Sequence, residues 1–216
     1  MGGELPRLHR ARVRRRPGQG RPAGRRAGTW DAGIAAVLPG MLDEAHWRDT
    51  YRRSGPRGLP GLERYLCSAR HTLGGPSAMH TALVTLADHS TPEHLTHLLR
   101  CEQHASLALR RANDLRSCRR ELGEGTVNPV LRHQQARLLC GAPLEAALSF
   151  ARAAVWRRVE EHLAQCRRLG RQRVTETGWP EAALAGMTER SVRFYRAQDF
   201  LPHEGDTPPW MRRRPC

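Results

Sequence analysis

Apolar positions recur at spacings of three and four along most of the chain, and no stretch alternates with period two for long enough to argue for a strand. The clearest case is residues 143–169, where Leu144, Leu148, Ala151, Val155, Val159, Leu163 and Cys166 fall on one stripe of a helix several turns long. Prolines stand where the first turn of a helix tolerates them: Pro92 after Thr91, Pro143, and Pro180 after Gly178. Gly123, Gly125 and Gly141 sit at helix stops, and Gly74-Gly75-Pro76 breaks the helix that carries Arg70. The pattern predicts an all-α helical bundle of six or seven helices over residues 29–202, without internal repeats. Residues 1–28 are Arg, Gly and Pro with little to bury, so they are expected to form a disordered arm, and 203–216 a disordered basic tail.

Length and composition narrow this picture. With 216 residues, 39% of them hydrophobic, the chain can build one sizeable core, in one domain or two. Its longest apolar run, Gly33 to Leu42, is broken by Pro39 and falls well short of the roughly 18 residues a membrane span needs. A soluble protein is therefore expected. Arg25-Arg26 ahead of that run mimics an export signal, but Asp31 interrupts it and no small-residue cleavage site follows. The six cysteines form no C-x-x-C pair and no small disulfide framework, which fits a reducing cytoplasm.

The formal charge of +15 invites a nucleic-acid reading until its location is considered. Residues 1–28 carry +8 and Arg212, Arg213 and Arg214 carry +3, which leaves +4 for everything between. The body is nearly balanced and the ends are basic. All 36 basic residues are arginine, a bias that points to a GC-rich coding sequence and not to chemistry.

The strongest chemical signal is Asn113-Asp114-Leu115-Arg116-Ser117-Cys118-Arg119-Arg120-Glu121. Asn113, Ser117 and Glu121 follow one another at i, i+4 and i+8, so they share one helix face. An amide, a hydroxyl and a carboxylate offer oxygen ligands of the kind hard Mg²⁺ prefers. The three span about 12 Å of helix axis, so the glutamate must lean toward the N-terminus, the direction helical side chains take. Upstream, Arg70 lies on the helix that ends at the Gly74-Gly75-Pro76 break, where a guanidinium fork can meet a phosphate. Downstream, Ser191-Val192-Arg193-Phe194-Tyr195 brings a second arginine and a phenol.

These residues in this order resemble the bacterial class I terpene synthases, over roughly residues 30–200. Asn113, Ser117 and Glu121 match that family's N-D-x-x-S-x-x-x-E metal triad, with Gly125 and Asn128 continuing its usual run. Arg70 matches the diphosphate-sensing arginine, Leu73 and Gly74 the linker and effector positions, and Arg120 the basic residue before the triad glutamate. Arg193 and Tyr195 correspond to the late Arg-Tyr pair, with Phe194 between them, and the helix around Trp47 precedes the arginine segment as the family's does. The resemblance implies the later helices of the class I terpenoid synthase fold and a lyase that ionises and cyclises an allylic isoprenyl diphosphate, of C15 or C20 chain length. Mg²⁺ would be held in part by Asn113, Ser117 and Glu121. Diphosphate would be gripped by Arg70, Arg120, Arg193 and Tyr195, and the nascent cation would meet the Gly74 carbonyl. The resemblance also admits a homodimer.

The family's aspartate-rich D-D-x-x-D/E motif has no counterpart here, and the acidic cluster Asp43-Glu44 and Asp49 lies too close to Arg70 to serve. An N-terminally truncated reading frame, inactive alone, accounts for that loss and for the unusual arm. One wall of the bundle is then expected to expose apolar surface. A zinc site from His94, His97, Cys101 and His104 is disfavoured, because one straight helix spreads them over about 15 Å. Two readings compete with the synthase: a non-catalytic helical remnant or scaffold, and a nucleic-acid binder acting through its basic ends. The latter lacks interleaved aromatics and any recognition motif in the body.

Overall fold

The computed structural model describes residues 22–197 apart from Ala87 and Gly125. Every regular element among them is helical: α1 (Pro22–Ala35), α2 (Val37–Ser54), a 3₁₀ turn (Gly55–Gly58), α3 (Leu62–Thr72), α4 (Gly75–Thr85), α5 (Leu95–Glu124), α6 (Pro129–Leu139), α7 (Leu144–Arg171) and α8 (Trp179–Ala197). The all-α bundle expected from periodicity is what forms. The stretch 22–28, expected within the disordered arm, is the start of α1. Residues 1–21, most of that arm, and the expected tail 203–216 lie outside the described residues.

Helix α5 is the axis around which the others pack. Its 30 residues meet α7 and α8 on one side and α3, α4 and α6 on the others. The α7 side is small and apolar: Cys101, Ala105, Ala108 and Ala112 lie against Ala151, Val155, Val159 and Cys166, all nearly fully buried. Small residues on both helices let the backbones approach closely, and interdigitation at native density follows. The other side of α5 is polar yet equally buried: Glu102, Ser106, Arg110, Asn113, Asp114, Ser117 and Glu121. A helix with a buried polar face beside its apolar stripe does not show the polar-outside pattern of a surface helix.

A second, smaller apolar cluster of Trp47, Tyr65, Leu66, Ala69 and Val127 ties α2 and α3 to the loop after α5. Between α3 and α4 the chain turns at Gly74, whose φ of 69° lies in the left-handed region that glycine enters without a Cβ penalty. Pro76 follows in the first turn of α4, where its missing N–H costs nothing. No helix among the described residues is long and apolar enough to cross a membrane.

Candidate functional site

Asn113, Ser117 and Glu121 lie along one buried face of α5, at 8%, 0% and 7% exposure. The Ser117 hydroxyl donates to the Asn113 carbonyl one turn back, at 2.9 Å, so its lone pairs remain uncommitted. Glu121 Oε2 accepts from Asn128 Nδ2 at 2.6 Å. Asn128 is the N-cap of α6: its Oδ1 accepts from the Val130 N–H at 2.8 Å, and its Nδ2 also donates to the Asp114 carbonyl. One side chain therefore fixes the glutamate, the α5 backbone and the start of α6.

Beside the triad sits an ionic network that the sequence reading missed. Tyr65 of α3 donates its hydroxyl to Asp114 Oδ1 at 3.0 Å and accepts from Arg110 Nε at 2.9 Å. Arg110, 4% exposed, also pairs with Asp114 at 2.9 Å and Glu44 at 3.1 Å, and donates to Thr72. Glu44 in turn accepts from the Thr72 hydroxyl, and neighbouring Asp43 accepts from Ser68. Burial pushes the Asp114 carboxyl up to about 7 against the pull of Arg110, while its Oδ2 is left without a partner. The acidic pair Asp43-Glu44 thus serves to lock α2 onto α3 and α5. The only sequence signal was an arginine at i−4 from Asp114.

An apolar cavity of about 470 Å³ has Leu109, one helical turn before Asn113, in its wall. Leu73 and Gly74 at the α3–α4 turn, Met79 of α4, and Phe194 and Tyr195 of α8 complete it. The Gly74 carbonyl accepts the first hydrogen bond of α4, from the Ala78 N–H at 2.9 Å. Tyr195 is buried and packs edge-on to Phe194 at 5.4 Å, whereas Arg193 is exposed two residues away. Arg120 pairs with Glu124 at 3.6 Å, one turn on along α5. Arg70 donates to His71 and lines a different cavity, near residues 95–103 of α5. The structure places Asn113, Ser117 and Glu121 on one face of α5 and Gly74 and Tyr195 in the wall of the apolar cavity, while Arg70 lines a different cavity and Arg193 is exposed. Gly125 lies outside the described residues.

The histidines and cysteine weighed as a metal set pair individually with α7. Cys101 Sγ lies 3.4 Å from Cys166 Sγ, His104 Nδ1 lies 3.0 Å from His162 Nδ1, and His97 reaches the Leu169 carbonyl. Among the described residues no three His, Cys, Asp or Glu converge as a metal site. The amide–hydroxyl–carboxylate set on α5 is of another kind. All three are hard oxygen donors, and the Ser117 lone pairs and the second Glu121 oxygen are not taken up by the contacts described above, so the set fits a divalent ion such as Mg²⁺.

The model of the family described as terpene synthase family 2, C-terminal metal binding, matches residues 21–161 of this chain. The chain belongs to that family, and its function is of the terpene synthase kind. The matched stretch runs from α1 into α7 and contains Arg70, Gly74, Asn113, Ser117, Arg120 and Glu121, but not Arg193 or Tyr195. No curated protein matches the chain.

Proposed function

We propose that this chain holds Mg²⁺ through Asn113, Ser117 and Glu121 and binds the diphosphate of a C15 or C20 isoprenyl substrate there, its hydrocarbon lying in the apolar cavity behind. The observation that carries this reading is the placement of three hard oxygen donors on one buried face of α5, the first of them one turn from the cavity-lining Leu109, within the stretch matched to a metal-binding domain. When bound, Mg²⁺ supplies electrostatic stabilisation of a departing diphosphate. The protein's own part is positional. Asn128 holds Glu121 in one rotamer, the Tyr65–Arg110–Asp114–Glu44 network fixes the helix that presents the triad, and Leu109, Met79 and Phe194 exclude water from the hydrocarbon. Arg120 and Tyr195 are the proposed diphosphate contacts, and Gly74 would present its backbone to the cation.

A non-catalytic scaffold is the second reading. It is favoured by the separation of Arg70 and Arg193 from the triad, which leaves fewer cations to grip a leaving group. One experiment divides the two. Mg²⁺ and pyrophosphate together should raise the melting temperature more than either alone, and Asn113→Ala or Glu121→Ala should abolish that synergy. Product analysis with C15 and C20 diphosphates then reports turnover. Absence of synergy in the parent chain would remove the enzymatic reading, whereas synergy without product would establish a binding scaffold.

A further inference from the structure

The apolar cavity of about 470 Å³ also has a polar edge, and α8 supplies it. Met187, Ser191 and Phe194 follow one another at spacings of four and three, so they share one face of that helix, and all three are in the lining. Arg190 joins them from the edge of the same face. Arg190 and Ala78 of α4 are exposed and mark the mouth of the cavity, whereas Met79 and Leu109 are buried in its wall.

The charges around this hollow do not balance. Its lining contains no Asp or Glu, and Arg190 is its one cation. Glu189, the acid next to Arg190 in the chain, is committed to Arg167 at 2.7 Å. Among the described residues Arg190 makes no hydrogen bond or ion pair, and neither does the Ser191 hydroxyl. A guanidinium fork and a hydroxyl therefore stand uncommitted at the rim of an otherwise apolar space.

That combination suits a ligand with one negative head and a hydrocarbon body. A carboxylate meets the fork with two parallel hydrogen bonds and carries the single charge that one arginine neutralises. A diphosphate carries more charge than that and finds no second cation in this lining. A methylene takes up about as much space as a water, ~30 Å³, so the hollow has room for a chain of roughly ten carbons. We propose that this cavity binds a medium-chain carboxylate without metal, its head on the Arg190 fork and its chain against Met79, Leu109 and Phe194. This site stands on the lining of the cavity and not on the metal reading of α5. The carboxylate and the isoprenyl substrate would share the apolar space and differ in what holds the head.

The full chain is titrated by isothermal calorimetry in EDTA with hexanoate, octanoate and decanoate below their micelle concentrations, against acetate of equal ionic strength. Saturable binding is expected, tightening about threefold for each methylene added until the cavity is full. Octanoate should bind more tightly than octan-1-ol. Arg190→Gln should remove that preference, weakening octanoate roughly fivefold, the scale of a charge pair at an exposed rim, and leaving the alcohol unchanged. Ala78→Trp should block both ligands. Both positions are exposed, so the fold should survive these changes, as circular dichroism will check. Affinity that ignores chain length would assign the binding to the basic ends and overturn the site. Parental affinity in both variants would overturn it too, as would a loss confined to Leu38→Glu with Leu42→Glu, which would put the chain on the exposed side of α2. A requirement for Mg²⁺ would move the head to the α5 triad and overturn it equally. Metal is absent from the titration, so a failure here leaves the Mg²⁺ and pyrophosphate test of the triad standing.

Discussion

At the scale of the residue, Asn128 carries three hydrogen bonds while only 1% exposed, two to α5 and one to the start of α6. Replacing it with alanine removes the α6 cap and leaves the Asp114 carbonyl and a Glu121 oxygen without their donor. Asn128→Ala should therefore destabilise the protein by about 1–3 kcal/mol in urea unfolding, more than an isolated cap is worth. Asp, which keeps the cap acceptor but puts a carboxylate against Glu121, should be no better. His162 shows a different dependence. Burial first, then Arg111 and His104, lower its pKa from 6.5 to about 4. An imidazole depressed in the fold contributes stability that is complete above its ordinary pKa and is lost as pH falls from 6.5 toward 4. Melting temperature should drop across that window, and His162→Gln should flatten the drop in part, since His71, His104 and His133 are held low too. Sequence spacing sufficed to group Asn113, Ser117 and Glu121 because helical periodicity alone puts them on one face. It could not reveal Tyr65, Glu44 and Arg110, which meet only through the packing of three helices and carry no local pattern.

At the scale of the element, helix α7 was readable because it has one buried side. Five of the seven stripe residues are core, while Leu144 is 59% exposed and Ala147 takes the inward position in the first turn. Helix α5 was readable chiefly as a polar motif, since buried polar residues flank its apolar stripe, and α1 was unreadable because arginine and glycine mask its start. The α3–α4 break followed directly from the Gly-Gly-Pro chemistry at 74–76. The α5–α7 seam makes a quantitative claim: Ala108 and Ala151 are fully buried in the core between the two helices. Ala108→Leu or Ala151→Leu should cost about 1–3 kcal/mol by overpacking, measured by chemical unfolding, whereas Ala153→Leu on the exposed side of the same helix should be nearly neutral. The turns at either end of the bundle are strapped differently. Asp88 accepts from the backbone and hydroxyl of both Ser90 and Thr177, joining the loop before α5 to the loop before α8.

At the scale of the whole molecule, the expected apolar wall is present, and it runs along α1 and α2. Trp30, Ile34, Leu38, Met41 and Leu42 are 39%, 45%, 68%, 54% and 71% exposed, at spacings that keep them on one side of the nearly continuous helix pair. A row of this kind exceeds the scattered single residues a monomer ordinarily tolerates. Each large side chain moved out of water contributes roughly 1.5–3 kcal/mol, so burying even part of the stripe on another surface outweighs the entropy of a weak association. The chain should therefore self-associate in a concentration-dependent way at moderate salt, seen as a rising weight-average mass in sedimentation equilibrium. Leu38→Glu with Leu42→Glu, both on the exposed side and outside the core clusters, should restore the monomer mass without lowering the melting temperature. High salt strengthens apolar association and screens repulsion between the arginine-rich ends, so the parent should associate more as salt rises and the double variant should not. If both chains gave the same mass at every salt concentration, the stripe would be inert surface and any association would have to come from elsewhere in the chain.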